Sequence, residues 1–153
     1  MQKNIIIADT SCLILLEKLK MLNVLRQLFG QLFITRNVAN EYGKDIPEWI
    51  KIADPKDKTS VLILESQVDR GEASSIALAL EINQCLLIID DRKGRRVANQ
   101  FGINVTGTLG ILVDAKNEGI ISEIKPVLEK IRQTNFRLSK QLEMYVLHQA
   151  GEL

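Results

Sequence analysis

The chain has 153 residues, 46% hydrophobic and 25% charged, with twenty Lys and Arg against nineteen Asp and Glu for a formal net charge of +1. A globular chain of this size buries roughly 70% of its unfolded surface, so its core can form without staples. Near-neutrality excludes a polycation that binds nucleic acid by bulk charge, and a single His with two Cys lacking CxxC spacing excludes most His-rich zinc enzymes, zinc ribbons and disulfide frameworks.

Residues 4–8 form a β-branched run that predicts a buried strand. Asp9, Thr10 and Ser11 follow, three residues suited to opening a helix. Leu13, Leu16, Leu19 and Leu22 mark a helical stripe, broken near Lys20 into two helices and closed by Gly30. Residues 32–35 predict a second strand, and 36–42 a short helix closed by Gly43. The stretch 45–57 holds Pro47, Pro55 and Trp49 and predicts a loop with a short extended piece near 50–53.

Helices are expected over 60–68 and 71–82, the second with Ile76, Ala79 and Leu80 on one face. Residues 85–89 are uninterruptedly apolar, as a parallel strand covered on both faces requires. A helix over 91–100, a strand over 103–106 and a helix over 108–117 come next, the last stopped at Gly119. The tail 122–150 predicts two helices. The first opens with Pro126, and the second carries Leu138, Leu142 and Tyr145 or Val146 as its apolar stripe.

This alternation gives an α/β fold, a mostly parallel sheet with helices on both faces. One domain is expected over 1–153, with a core at about 1–119 and C-terminal helices at about 120–150. No apolar run approaches the roughly 18–20 residues of a membrane span, and the apolar part of the N-terminus is too short for a signal peptide. No membrane partner is therefore expected, and the cytoplasm is the expected location. Cys12 and Cys85 sit among aliphatic residues and are expected as buried free thiols.

With so little His and Cys, chemistry falls to carboxylates. Two strands end in acids: Asp9 after the first, and Asp90 and Asp91 after the apolar strand. Ligands of open α/β sheets bind beyond the carboxyl ends of the strands, so these acids share a crevice if their strands are neighbours. Helix capping is the competing role for each, but one of the pair Asp90 and Asp91 suffices for a cap. Glu41 lies on the short helix after strand two, and Glu72 opens the small-residue-rich helix. Clustered carboxylates call for a cation, and all-oxygen ligation suits Mg²⁺ or Mn²⁺. A phosphotransfer reading of Asp9 asks for a second Asp at position 11, which is Ser11.

The segments IIIADTSCLILLEKL, LFITRNVANEY, GEASSIALALE and LLIIDDRKGRRVANQFGINVTGTLGIL, in this order, resemble the PIN domain, and more narrowly its VapC-related prokaryotic branch. The tail GIISEIKPVLEKIRQTNFRLSKQLEMYVLHQAGE resembles the end of that branch. The resemblance implies a PIN-like three-layer α/β/α fold and a metal-dependent endoribonuclease, the toxin-like member of a toxin–antitoxin pair. The implied metal-binding and catalytic acids match Asp9, Glu41, Glu72 and Asp91, with Asp90 as the alternative to Asp91. At the third position the branch usually has Asp, and Glu72 is one methylene longer. The family's hydroxyl after the first acid matches Ser11, with Thr10 beside it, to orient Asp9 or a metal-bound water. RNA, a cognate antitoxin and a second copy of the chain are the implied partners. A non-catalytic module that binds nucleic acid or protein on the same fold is the alternative function.

Arg92, Lys93, Arg95 and Arg96 form a basic cluster directly after the acidic pair and are candidates for RNA phosphate contact. Gly107-Thr108-Leu109-Gly110 precedes a helix. Thr108 is expected as its N-cap, and its backbone amides are a candidate phosphate seat. Aromatic residues are only 5% of the chain, which argues against a base-stacking platform.

Overall fold

The computed structural model describes residues 4–153; the first three positions of the expected domain lie outside them. Strand β1 (Ile5–Ala8) runs into helix α1 (Thr10–Lys18), and α2 (Asn23–Phe29) follows. The break between the helices falls at Lys20, whose φ of 58° places it in the left-handed region that a continuous helix cannot contain. Then come β2 (Leu32–Ile34), α3 (Arg36–Tyr42), β3 (Ile50–Ile52), α4 (Lys58–Glu65), α5 (Arg70–Leu80) and β4 (Cys85–Ile88). The chain continues through α6 (Arg92–Gln100), β5 (Asn104–Thr106), α7 (Thr108–Asn117), α8 (Lys125–Arg132) and α9 (Lys140–Gln149).

Every pairing among the described strands is parallel, in the order β3-β2-β1-β4-β5. The chain builds outward from β1 to β3, then returns to place β4 on the other side of β1. The junction of β1 and β4 is therefore the topological switch point, where open α/β sheets bind ligands. Their register pairs Ala8 with Ile88, so the residues that leave the two strands stand side by side.

Alternation along each strand divides the core into two layers. Ile6, Ala8 and Ile88 face a cluster built from α1, α2, α3, α7, α8 and α9. Ile7, Leu87 and Ile89 face a second cluster built from α4, α5 and α6. The result is a three-layer α/β/α arrangement. Ala73, Ala77 and Ala79 let α5 lie close against the sheet. Cys12 and Cys85 are buried free thiols, as expected. No helix among the described residues is long and apolar enough to cross a membrane.

Two details differ from the sequence-based expectation. Helix α4 starts earlier than position 60, because the Asp57 side chain accepts from the Thr59 and Ser60 backbone N–H groups and fixes the start there. Of the expected α9 stripe Val146 is inward, beside Leu147 and Ala150, whereas Leu142 and Tyr145 are exposed and the partly buried Leu138 precedes the helix. The exposed side, with Leu142 and Tyr145, lines a surface groove, and Ser139 caps the helix by accepting from the Leu142 N–H.

Candidate functional site

A cleft of about 590 Å³ opens at the carboxyl end of the sheet over the junction of β1 and β4. Asp9, Glu41, Asp69, Glu72, Asp90 and Asp91 line it. All five acids named from the sequence are thus brought together, and Asp69 joins them. Asp69 caps α5 by accepting from the Glu72 N–H at 2.9 Å. Its signal was in the chain: Asp69-Arg70-Gly71-Glu72 is a capping pattern, acid at the cap and Glu three residues on.

Asp9 stands at the N-cap position of α1 with extended backbone, yet makes no side-chain cap hydrogen bond. Its carboxylate points into the cleft, is only 6% exposed, and lies 3.5 Å from the Ser75 hydroxyl. Burial pushes its pKa up to about 7; the Thr10 backbone amide opposes this, and the charges of Asp69, Glu41 and Asp90 add to it. Glu72, also 6% exposed, is pushed up to about 8 by burial first and then by Asp69, Asp91 and Asp9.

The hydroxyls hold different acids from those expected. Thr10 donates to Glu41 Oε1 at 2.7 Å, and Ser11 to Asp90 Oδ2 at 3.3 Å, so neither orients Asp9. First-turn side chains lean toward the helix N-terminus, and at α1 that direction leads over the sheet edge to Glu41 and Asp90. Thr108 is not an N-cap either. Gly107 holds that place, and Thr108 gives Asp90 both its N–H (2.7 Å) and its hydroxyl (2.6 Å). Asp90 therefore occupies the helix N-terminus proposed above as a phosphate seat. Asp91 caps α6 by accepting from the Gly94 N–H at 2.8 Å.

Three glycines make room for these carboxylates, among them Gly107, where a Cβ would stand 2.9 Å from Asp90 Oδ1. A Cβ on Gly71 would collide with Glu41 Oε1, and one on Gly94 would stand 2.6 Å from Ile89 Cδ1 and 3.2 Å from Glu72 Oε1. Of the basic cluster, Arg92, Arg95 and Arg96 line a recess of about 700 Å³ that includes Asp90; Lys93 lies outside it. The sequence reading also missed Lys18, Asn135, Phe136 and Arg137 on the cleft wall.

The donor set fits a hard divalent cation. Two buried carboxylates have raised pKa values, and none of the six acids forms an ion pair with Lys, Arg or His among the described residues. A cation among them would supply that missing charge. No three His, Cys, Asp or Glu side chains among the described residues stand in ready metal-ligand geometry. Mg²⁺ needs no such cage, because it keeps several waters and takes one or two carboxylates together with substrate phosphate.

In comparison with known proteins, residues 5–152 match a family model described as DUF3368: PIN domain. No curated protein and no solved structure matches the chain.

Proposed function

The chain belongs to the PIN-domain family, whose members are generally nucleases, and on that premise we propose that it is a metal-dependent endoribonuclease. The observation that carries the reading is the cleft at the β1–β4 switch point, where six carboxylates meet and none forms an ion pair among the described residues. Asp9, Glu41, Glu72 and Asp91 are the proposed metal-binding and catalytic acids. Asp90 is held ready by Thr108 and Ser11. Mg²⁺ or Mn²⁺ would activate a water and stabilise charge on the phosphate oxygens. The chain's own work is to hold the carboxylates in place. Thr10 fixes Glu41, Asp69 fixes the start of α5 beneath Glu72, and burial of Asp9 and Glu72 against the apolar layers raises their pKa values until a cation is bound.

RNA as the substrate, a toxin-like role with a cognate antitoxin, and a homodimer rest on the resemblance of the sequence to the VapC-related branch. The basic recess of Arg92, Arg95 and Arg96 beside Asp90 supports the first of these. One observation favours the second reading, a non-catalytic binding module: no three acids stand in ready ligand geometry. End-labelled RNA incubated with Mg²⁺, Mn²⁺ or a chelator separates the two. Cleavage with metal and none with chelator is expected. RNA binding without turnover in either metal, over a panel of RNAs, would leave the module reading standing.

A further inference from the structure

A groove of about 490 Å³ adjoins the acid cleft and shares Asp90, Phe136 and Arg137 with it. Arg95 of α6 and Tyr145 and Gln149 of α9 also line it, with Asp114 of α7 at its far side. The wall between cleft and groove is the connection from α8 to α9. This connection is anchored. Thr134 takes the Phe136 N–H on its hydroxyl, Lys18 donates to Asn135 Oδ1 at 3.3 Å, and Phe136 and Leu138 pack against the larger core cluster. Arg132 and Glu143 pair across its base.

The anchoring presents Arg137 to both recesses. Among the described residues, Arg137 and Lys18 are the only basic ones lining the acid cleft, and Lys18 is engaged by Asn135. Arg137 is exposed and makes no ion pair among the described residues. A polyanion approaching a carboxylate-lined cleft needs such a cation at the rim. Tyr145 is 62% exposed on the same groove, a large aromatic face that the fold itself does not use. Paired bases are already stacked on both faces, so an aromatic side chain beside arginines suits bases that are free of a duplex.

We propose that this groove, with Arg137 and Arg95 on phosphates and Tyr145 under a base, binds an unpaired RNA strand and delivers it to the acid cleft. The proposal rests on the nuclease reading for its destination, and on the groove alone for its ligand. It also revises the low overall aromatic content as a guide, since what matters is one exposed ring beside the cleft.

The test is binding of a fluorescent RNA oligonucleotide to the full chain in chelator, measured by anisotropy over a salt series. The unpaired strand should bind at least about ten-fold tighter than the same sequence annealed to its complement. Arg137→Gln should flatten the log–log salt slope by about 0.7, the loss of one single-strand phosphate contact. Tyr145→Ala should weaken binding about five-fold or more with the slope unchanged. Both residues are exposed, and an unchanged melting temperature verifies that each variant is folded. Equal affinity for duplex, or unpaired-strand binding untouched by both substitutions, overturns the proposal and leaves the groove to a protein ligand. Expected binding without metal-dependent cleavage would remove the nuclease reading and keep the groove. Cleavage with no preference for unpaired RNA would do the reverse.

Discussion

The exits of β1 and β4 read alike in sequence: an apolar strand, an aspartate, a helix. Their structures differ. At the β4 exit, Asp91 closes α6 with a hydrogen bond to the Gly94 N–H and stays at the surface. At the β1 exit, Asp9 makes no cap, is buried, and is surrounded by other acids. A carboxylate with a local task explains itself. One that is buried without that task is costly, and such a cost is maintained where something outside the chain is to be bound.

The strongest way to break the comparison is to remove each charge while keeping its shape. Asp9→Asn should lower metal-dependent cleavage by more than about 100-fold, beyond what loss of a supporting hydrogen bond costs. Thr10→Val, which frees Glu41 without removing it, should cost only about ten-fold. Initial rates in Mn²⁺ measure both. Equal rates for Asp9→Asn and the parent chain would remove Asp9 from the site.

Stability against pH is the next largest effect. Asp9 and Glu72 have native pKa values of about 7 and about 8, above their ordinary 3.8 and 4.5. Between those limits the folded chain keeps protons that the unfolded chain has lost. Stability of the metal-free protein therefore falls as pH rises from about 4 to about 8. Glu72→Gln should flatten this dependence, and Mn²⁺ should raise the melting temperature more at pH 8 than at pH 5. A metal shift that is the same at both pH values would contradict the placement of the cation among these groups.

The same contrast sets what was legible in the sequence. Strand β1, helices α3 and α7 and the closures at Gly30, Gly43 and Gly119 were readable, because caps, apolar runs and residues that tolerate positive φ are local signals. Asp9, Glu41, Glu72 and the Asp90–Asp91 pair were readable as acids in order. Their partners were not. Whether Thr10 bonds Asp9 or Glu41 depends on how α1 crosses α3, and Arg137 reaches the cleft only because Phe136 and Asn135 anchor a distant connection. Asp69 is a local signal too, since it caps α5 one residue before Arg70, whereas the apolar and small-residue pattern begins only at Gly71. The stripe of α9 is a related case: Leu142 and Tyr145 satisfy a helical period but lie on the side that faces the groove.

Gly71 tests how finely Glu41 is placed. A Cβ at position 71 would collide with the end of the Glu41 side chain, which is long and exposed and can swing away. Gly71→Ala should therefore leave stability unchanged, or raise it by up to about 1 kcal/mol through helix propensity. Cleavage should fall about ten-fold, because the displaced carboxylate is the one that Thr10 holds. A loss of stability with full activity would mean that Gly71 serves backbone fit and not the site.

The smallest effect returns to the β4 exit. Asp91→Ala leaves the Gly94 N–H without its cap and should cost about 1 kcal/mol at any pH where the aspartate is charged. Asp91→Asn preserves the cap, since Asn serves as well as Asp there, and should unfold within about 0.5 kcal/mol of the parent chain. Denaturant melts of the two variants measure the cap alone, and their cleavage rates measure what remains. If Asp91 also binds metal, both variants lose activity although only the alanine loses stability. If the asparagine variant keeps full activity, Asp91 is a cap and nothing more. The acid of that exit is then Asp90, whose two oxygens Thr108 already aligns.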